Sequence, residues 1–181
     1  MGRTHDTLDD DLVAWIERQH VFFVASAPSG PDGHVNLSPK GYDTFRVLGP
    51  TEVAYLDLTG SGVETIAHVR ENGRLTIMFC AFEGKPRILR LFGRAEAVLV
   101  GDPGYDGLAA AFPTVPGARS IVRLSVERIQ SSCGYAVPFM SYERERETLD
   151  DWAARKGPEG IAAYHAEKNA RSIDGLPGVV R

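Results

Sequence analysis

The residues best suited to chemistry form the turn Gly60-Ser61-Gly62-Val63-Glu64-Thr65, which lies between a strand-like and a helix-like segment. A turn of this kind presents free backbone N–H groups at the positive end of a helix dipole, an arrangement that binds phosphate. The hydroxyls of Ser61 and Thr65 would add two donors. The same residues also fit a capping box, in which Glu64 reaches back to the N–H of Ser61. Spacing alone slightly favours the capping box.

The turn differs from the known nucleotide-binding fingerprints. No Lys-Ser or Lys-Thr pair follows it at the spacing of a P-loop. A dinucleotide-binding fold would require a third glycine and a βαβ context, and both are absent from the sequence.

A second group of polar residues alternates along residues 35–41. Asn36, Ser38 and Lys40 share one face of this predicted strand and would line a polar pocket. The alternative, favoured for this segment alone, is a half-exposed strand whose polar face meets water. Arg90 lies between Leu89 and Leu91, so it either meets a buried anion or leaves an edge strand toward solvent.

Other side-chain chemistry is sparse in the sequence. The five histidines lack metal-ligand spacing, and we predict no metal site. Cys133 is either a reactive thiol or a small buried residue, and the second is favoured because free cysteines are usually buried. No nucleophile elbow or paired carboxylates stand out, so no catalytic residue is assigned.

Composition narrows the class of protein. The chain has 181 residues, a net charge of −4 and 43% hydrophobic residues, values typical of one folded domain. Without a basic footprint we expect no nucleic-acid partner, and without a long apolar run we expect no membrane span. The polar, acidic start is unlike a secretory leader, so a cytoplasmic location is expected.

Strand-like segments dominate the hydrophobic pattern. We predict an amphipathic helix that is capped by Thr7 and ends near Gln19, and a short helix after the glycine turn that closes at Asn72-Gly73. The predicted strands cover residues 21–25, 34–38, 53–58, 75–82, 87–100 (with a bulge at Gly93) and 121–129. Their spacing favours a mainly β, small antiparallel barrel over residues 1–142. Residues 143–181 form a predicted helical C-terminal extension, which restarts at Gly157-Pro158 and packs on the barrel or on a partner subunit.

Taken in order, these segments resemble the pyridoxamine 5′-phosphate oxidase-like, FMN-binding split-barrel family. The resemblance covers residues 12–129 and depends on the ordered set of segments, since none is diagnostic alone. It is carried by Asn36-Leu37-Ser38-Pro39-Lys40-Gly41, Val53-Ala54-Tyr55-Leu56-Asp57-Leu58, the glycine turn, Glu71-Asn72-Gly73, Leu75-Thr76-Ile77-Met78-Phe79 and Ile88-Leu89-Arg90-Leu91-Phe92-Gly93-Arg94-Ala95.

The resemblance implies a six-stranded split β-barrel that works as a homodimer, with one FMN in each of two clefts at the interface. It implies an FMN-dependent oxidoreductase acting on a small organic substrate, in which the flavin transfers electrons and no catalytic base is needed. The implied alternatives are a deazaflavin-dependent reductase, a flavin-binding module without turnover, and an empty dimeric barrel. The implied cofactor-binding residues are Asn36, Leu37, Ser38, Lys40, Tyr55, Ser61, Gly62, Glu64, Thr65 and Arg90.

Two departures from the family pattern change this expectation. Glu64-Thr65 stand where the namesake oxidases carry a basic Arg-Lys pair at the helix start. The flavin phosphate would then depend on Ser61, Thr65 and backbone amides, assisted by Lys40 and Arg90. The Arg-x-His substrate motif is also missing from residue 172 onward, so oxidation of pyridoxamine phosphate is not expected.

Overall fold

A computed structural model describes residues 2–179 as one antiparallel sheet surrounded by helices. Antiparallel strands can be joined by short turns, whereas parallel strands need a crossover helix between them. The fold therefore needs fewer helices than strands. The elements in chain order are β1 (Arg3–His5), α1 (Asp10–Ile16), β2 (Phe22–Ser26), β3 (Asn36–Lys40), β4 (Phe45–Gly49), β5 (Glu52–Leu58), α2 (Glu64–Asn72), β6 (Arg74–Cys80), β7 (Ile88–Leu99), α3 (Tyr105–Ala109), β8 (Ala118–Ser132) and α4 (Thr148–Lys168).

The strand order is β3-β2-β6-β7-β8-β5-β4, and β1 pairs with the end of β8. The mainly β, antiparallel prediction is confirmed, but the count of six strands is wrong, because the sheet has eight. The additional strands are β1 and β4. The three residues of β1 carry no apolar alternation, and they become a strand only because β8 is long enough to pair with them beyond β5.

The sheet is rolled but not closed. No ladder joins β3 to β4 among the described residues, yet side chains from the two ends of the sheet share one core. The ring of Phe22 on β2 lies 5.1 Å from that of Phe45 on β4 and 5.6 Å from that of Tyr55 on β5. An open seam therefore runs between the two ends, as in a split barrel.

Helix α1 covers one end of this core with the predicted apolar stripe. Leu12, Trp15 and Ile16 are buried, as the spacing predicts. The predicted bounds are wrong: the helix is capped by Asp9, whose Oδ1 accepts from Leu12 N at 2.9 Å, and it ends at Ile16. Asp9 stands directly before the first turn, so its carboxylate reaches an N–H that Thr7 does not.

The C-terminal tail packs against the end of the sheet where β5 meets α2. Its helix α4 is broken at Gly157, whose φ of 64° is not helical, and restarts at Pro158 as predicted. Ala153 and Asn169 of the tail are buried. Among residues 2–179, no helix combines the length and the apolar character that crossing a membrane requires.

The predicted bulge at Gly93 is confirmed, and it gives a test of the rolled sheet. The register between β7 and β8 shifts between Phe92 and Gly93. A Cβ at Gly93 would lie 2.0 Å from Ser125 O, a backbone atom that cannot move independently.

We expect Gly93→Ala to lower the free energy of unfolding by about 2–4 kcal/mol, since overpacking against backbone shifts both strands. Gly107→Ala is the matched control, because nothing lies within 4 Å of its added Cβ. Urea unfolding measures both variants. Equal stabilities would contradict the close approach of β7 and β8 at this bulge.

Candidate functional site

A hydrogen-bonded polar network lies between β2, β3 and α2, with Asn36 at its centre. Asn36 Nδ2 donates to Thr65 Oγ1 at 3.0 Å and to Ser26 Oγ at 3.3 Å, and its Oδ1 accepts from Ser38 Oγ at 3.0 Å. Ser26 Oγ in turn lies 3.0 Å from His68 Nδ1. The network therefore connects two strands to the first two turns of the helix.

Strand register explains why these polar side chains face inward. Ser26 pairs with Asn36, Val24 with Ser38, and Phe22 with Lys40. Directly opposed residues share a face of the sheet, and Phe22, Val24 and Ser26 are all buried on the core side. The polar side chains of β3 thus point to the core side of the sheet, where Asn36, Ser38 and Lys40 are half-buried.

Two buried polar atoms lie beside this network. His68 Nε2 has no hydrogen-bond partner within residues 2–179, and Tyr55 Oη makes no hydrogen bond of ordinary length there, although the Thr65 side chain lies near enough to lower the pKa of Tyr55. Burial, with help from the charge of Asp57, raises the pKa of Tyr55 well above its usual range, so the phenol stays protonated. Burial also lowers the pKa of His68, which favours its neutral form. Buried polar groups almost always have partners, so these two atoms indicate room for a polar ligand or for water.

Below the network, Asp57 is held by two cations. Its Oδ1 accepts from Lys40 Nζ at 2.8 Å, and its Oδ2 accepts from Arg119 Nε at 2.6 Å. The Asp57 side chain is 1% exposed and that of Arg119 is 6% exposed. Burial alone would raise the pKa of Asp57, but the charges and hydrogen bonds of Arg119 and Lys40 lower it well below the ordinary value. The cluster therefore stays ionised, with two cations for one carboxylate.

The cluster also fixes the glycine turn through the C-terminal tail. Arg119 Nη1 donates to Gly62 O at 2.8 Å and to Asn169 Oδ1 at 3.1 Å. Asn169 Nδ2 donates to Gly60 O at 3.0 Å. With these carbonyls turned inward, none of the backbone N–H groups of residues 60–65 donates a hydrogen bond within the described part of the chain. The turn thus keeps the free amides that an anion would need.

The start of α2 shows that the capping-box interpretation is wrong. Its N-cap residue is Val63, and no side chain caps the helix. The Ser61 side chain is exposed, and Glu64 Oε1 accepts from Ile173 N of the tail at 3.3 Å instead. Asn72-Gly73 does end the helix as predicted, with Gly73 at a φ of 71°.

The structure brings half of the predicted cofactor-binding residues together. Asn36, Ser38, Lys40, Tyr55 and Thr65, on β3, β5 and α2, are linked by pairwise contacts on the core side of the sheet, and we refer to this region as the pocket. Ser61, Gly62 and Glu64 lie at its rim, in and beside the glycine turn. As cofactor contacts, all of them stay predictions.

Leu37 and Arg90 lie on the opposite, outer face of the sheet. Leu37 is 64% exposed, and Arg90 pairs with Met78 in the middle of the sheet, where its Nη1 donates to Ser132 Oγ at 3.2 Å. Arg90 is therefore not on an edge strand, and neither residue reaches the pocket of its own chain.

The residues that the sequence analysis missed are Asp57, His68, Arg119 and Asn169. Asp57 could have been found from the sequence, because it is the one charged residue inside the apolar strand 53–58 and a buried carboxylate requires cations nearby. Nothing local marks Arg119 or Asn169, whose partners lie 50 or more residues away along the chain.

A separate groove of about 990 Å³ lies between α1, the β6–β7 turn and residues 140–142. Arg87 lies 5.4 Å from the centre of the Trp15 ring, and the rings of His20 and Tyr142 stack at 3.7 Å. None of the predicted cofactor-binding residues lines this groove.

Metal-ligand clusters and thiols offer little further chemistry. Within residues 2–179, no group of three His, Cys, Asp or Glu side chains could hold a metal ion. Cys133 is a free, exposed thiol, so its expected burial is wrong. The reason is that it follows β8, where the chain leaves the sheet.

A model of the pyridoxamine 5′-phosphate oxidase family matches residues 8–133, more than half of the chain. The chain therefore belongs to this family. It is also 39% identical to the pyridoxamine 5′-phosphate oxidase family protein ustO of Aspergillus flavus, over 97% of this chain and 77% of ustO.

Solved structures support the fold. A variant of HupZ from Group A Streptococcus aligns with a TM-score of 0.55 and 22% identity, over 69% of this chain and 99% of that one. A Lactobacillus delbrueckii protein described as a candidate pyridoxamine 5′-phosphate oxidase aligns with a TM-score of 0.53 and 19% identity, over 70% and 98%. At these identities the likeness concerns the fold alone.

The buried cluster predicts a specific loss of stability. We expect Asp57→Asn to cost about 3–5 kcal/mol at neutral pH, because it leaves Lys40 and Arg119 without their carboxylate. Asp43→Asn is the control: it breaks an exposed pair with Arg46 and should cost about 1 kcal/mol or less. Urea unfolding measures both.

The ionised Asp57 also predicts how the stability of the protein changes with pH. Since the folded-state pKa of Asp57 is lowered, its stabilisation is complete above the unfolded value of about 3.9 and is lost as the pH falls below it. The gap in stability between the natural chain and Asp57→Asn should therefore narrow by about 1 kcal/mol at pH 3. A gap that stays constant from pH 7 to pH 3 would contradict the ionised pair.

Proposed function

We propose that this chain is an FMN-dependent oxidoreductase that acts on a small organic substrate. The observation that carries the proposal is the polar network of Asn36, Ser38 and Thr65 at the start of α2. It lies next to a turn whose backbone N–H groups, in residues 60–65, donate no hydrogen bond within the described part of the chain. Membership of the pyridoxamine 5′-phosphate oxidase family supports the same assignment.

The residues of the pocket fit the chemical parts of such a cofactor. Asn36 and Ser38 offer donors and acceptors along β3 for the polar chain of a flavin. Thr65 and the amides of residues 60–65 fit its phosphate, and the buried cluster behind the turn has one more cation than carboxylates, which favours an anion nearby.

A bound flavin would supply the electron transfer itself. The protein's part is to bind and orient. Arg119 and Asn169 fix the turn, and the first turn of α2 directs its free amides toward the bound anion. The protonated Tyr55 phenol is a hydrogen-bond donor held in a dry, fixed position. The apolar core residues next to it exclude water from the inner end of the pocket.

We extend the proposal to a homodimer with its clefts at the interface. Leu37 and Arg90 cannot reach the pocket of their own chain, because they lie on the outer face of the sheet. In a dimer that pairs this outer face with the partner's cleft, both residues would meet the partner's flavin. Leu37 and Arg90 are therefore proposed to bind the cofactor of the partner subunit, and only in such a dimer.

Absorbance and reoxidation test the proposed activity. We expect the purified protein to carry or take up FMN with an oxidised-flavin spectrum, and we expect the reduced flavin to be reoxidised by a small organic acceptor or by oxygen. A deazaflavin has a different spectrum, and a flavin that stays reduced with every acceptor would indicate a binding module. A protein that takes up neither flavin nor deazaflavin would contradict the proposal.

The substitution Thr65→Val tests whether FMN binds in this pocket. The substitution keeps the shape of the side chain but removes the oxygen that accepts from Asn36, so we expect at least about tenfold weaker FMN binding, a loss of ~1.4 kcal/mol or more. Thr114→Val, in an exposed loop away from the pocket and from the outer face of the sheet, is the matched control. Sedimentation velocity should show a dimer for both variants, and unchanged FMN affinity in a folded Thr65→Val dimer would refute the site.

A further inference from the structure

The carboxylate of Glu64 folds back onto the glycine turn, next to Gly62. A Cβ built on Gly62 would lie 2.2 Å from Glu64 Oε2. The carboxylate thus fills the space that the missing side chain of Gly62 leaves open. It lies beside the turn whose amides would hold a phosphate, and none of those amides donates to it within the described part of the chain.

The turn beside this carboxylate carries positive charge. Gly62 O accepts from Arg119, and Arg119 belongs to the buried cluster that has two cations and one carboxylate. The free N–H groups of residues 60–65 add the partial positive charge of a helix start, a setting that favours a negative group.

The C-terminal tail holds Glu64 in this position. Ile173 N donates to Glu64 Oε1 at 3.3 Å. The same loop is anchored on β3's side of the pocket, where Asp174 Oδ2 accepts from His34 N at 2.8 Å and Asp174 Oδ1 lies 2.7 Å from His34 Nδ1. The loop therefore bridges the entrance between the β2–β3 connection and the start of α2.

We infer that Glu64 is a resident competitor for the phosphate subsite, and that a phosphate-bearing ligand binds only by displacing its carboxylate from the turn and from Ile173 N. The inference rests on the proposed function for the identity of the ligand. Glu64 then lowers the affinity for FMN relative to riboflavin, which lacks the phosphate. By linkage, it couples cofactor binding to the tail loop.

Removing the charge of Glu64 tests the competition. We expect Glu64→Gln to tighten FMN binding by about tenfold, because repulsion between a carboxylate and a phosphate a few ångströms apart is lost, while riboflavin binding changes less than about twofold. Glu71→Gln is the matched control, since it removes the same charge from an exposed position on the same helix. Inorganic phosphate serves as a third probe, measured by its competition with FMN and by calorimetry.

Removing the N–H of Ile173 tests the coupling. Ile173 is the second residue of a turn in which Gly175 N donates to Ser172 O at 2.9 Å, a position that proline favours. Ile173→Pro should therefore fold, and it should tighten FMN binding by about threefold because Glu64 loses its anchor. In the Glu64→Gln background the same substitution should have no further effect.

The outcomes separate the inference from the proposed function. If Glu64→Gln leaves the ratio of FMN to riboflavin affinity unchanged, the inference is overturned and the proposed function stands. If Glu64→Gln tightens inorganic phosphate while no form binds flavin, the inference stands and the proposed function fails. Additive effects of Glu64→Gln and Ile173→Pro would overturn the coupling. If no form binds FMN or phosphate, both are overturned.

Discussion

Asp57 joins parts of the chain that no backbone ladder connects. Lys40 comes from β3 at one end of the rolled sheet, while Asp57 lies on β5 near the other end. The Lys40–Asp57 ion pair therefore bridges the open seam. Arg119, the second partner, continues from Asp57 to the glycine turn and to Asn169 of the tail. A buried carboxylate without its cations costs several kcal/mol, so the seam, the turn and the tail are energetically tied together.

This arrangement makes the pocket a product of the whole fold. The polar face of β3 turns inward because β3 pairs with a strand whose own inner residues form the core. The turn keeps free amides because its carbonyls are bound by Arg119 and Asn169. The tail lies outside the region that the family model matches, yet it contributes Asn169 and the loop that meets Glu64. The conformation of the glycine turn thus depends on Arg119 of β8 and on the C-terminal tail, both distant from it along the chain.

Much of the fold could be predicted from the sequence because local patterns decide it. The buried strands follow from their apolar runs, the bulge from Gly93, and the helix ends from Gly73 and Pro158. The start of α1 was wrong because the nearby Asp9, and not Thr7, caps it. The capping box was wrong because Glu64 accepts from Ile173 N, a group 109 residues away that no local pattern reveals. β1 was missed because its three polar residues depend on a partner strand more than 120 residues away.

Prediction of the site was limited by long-range pairing. The alternation on β3 and the glycine turn marked Asn36, Ser38, Lys40 and Thr65 as candidates, but only the family resemblance grouped them at one site, since local periodicity left the water-facing strand and the capping box favoured. Arg119 and Asn169 could not be found, because their roles depend on hydrogen bonds across the fold. Arg90 was expected to reach the cleft but lies on the outer face of its strand. Periodicity shows that successive residues alternate between the two faces, but it does not show which face meets the cleft.

We propose that a flavin binds between β3, β5 and α2, with its phosphate at the glycine turn. Titration of the ¹⁵N-labelled protein with FMN, followed by amide chemical shifts, locates the bound flavin. We expect the largest shifts on the backbone amides of residues 60–65 and on the side-chain amide of Asn36. Shifts confined to the groove around Trp15 and Arg87, with the turn unchanged, would contradict it.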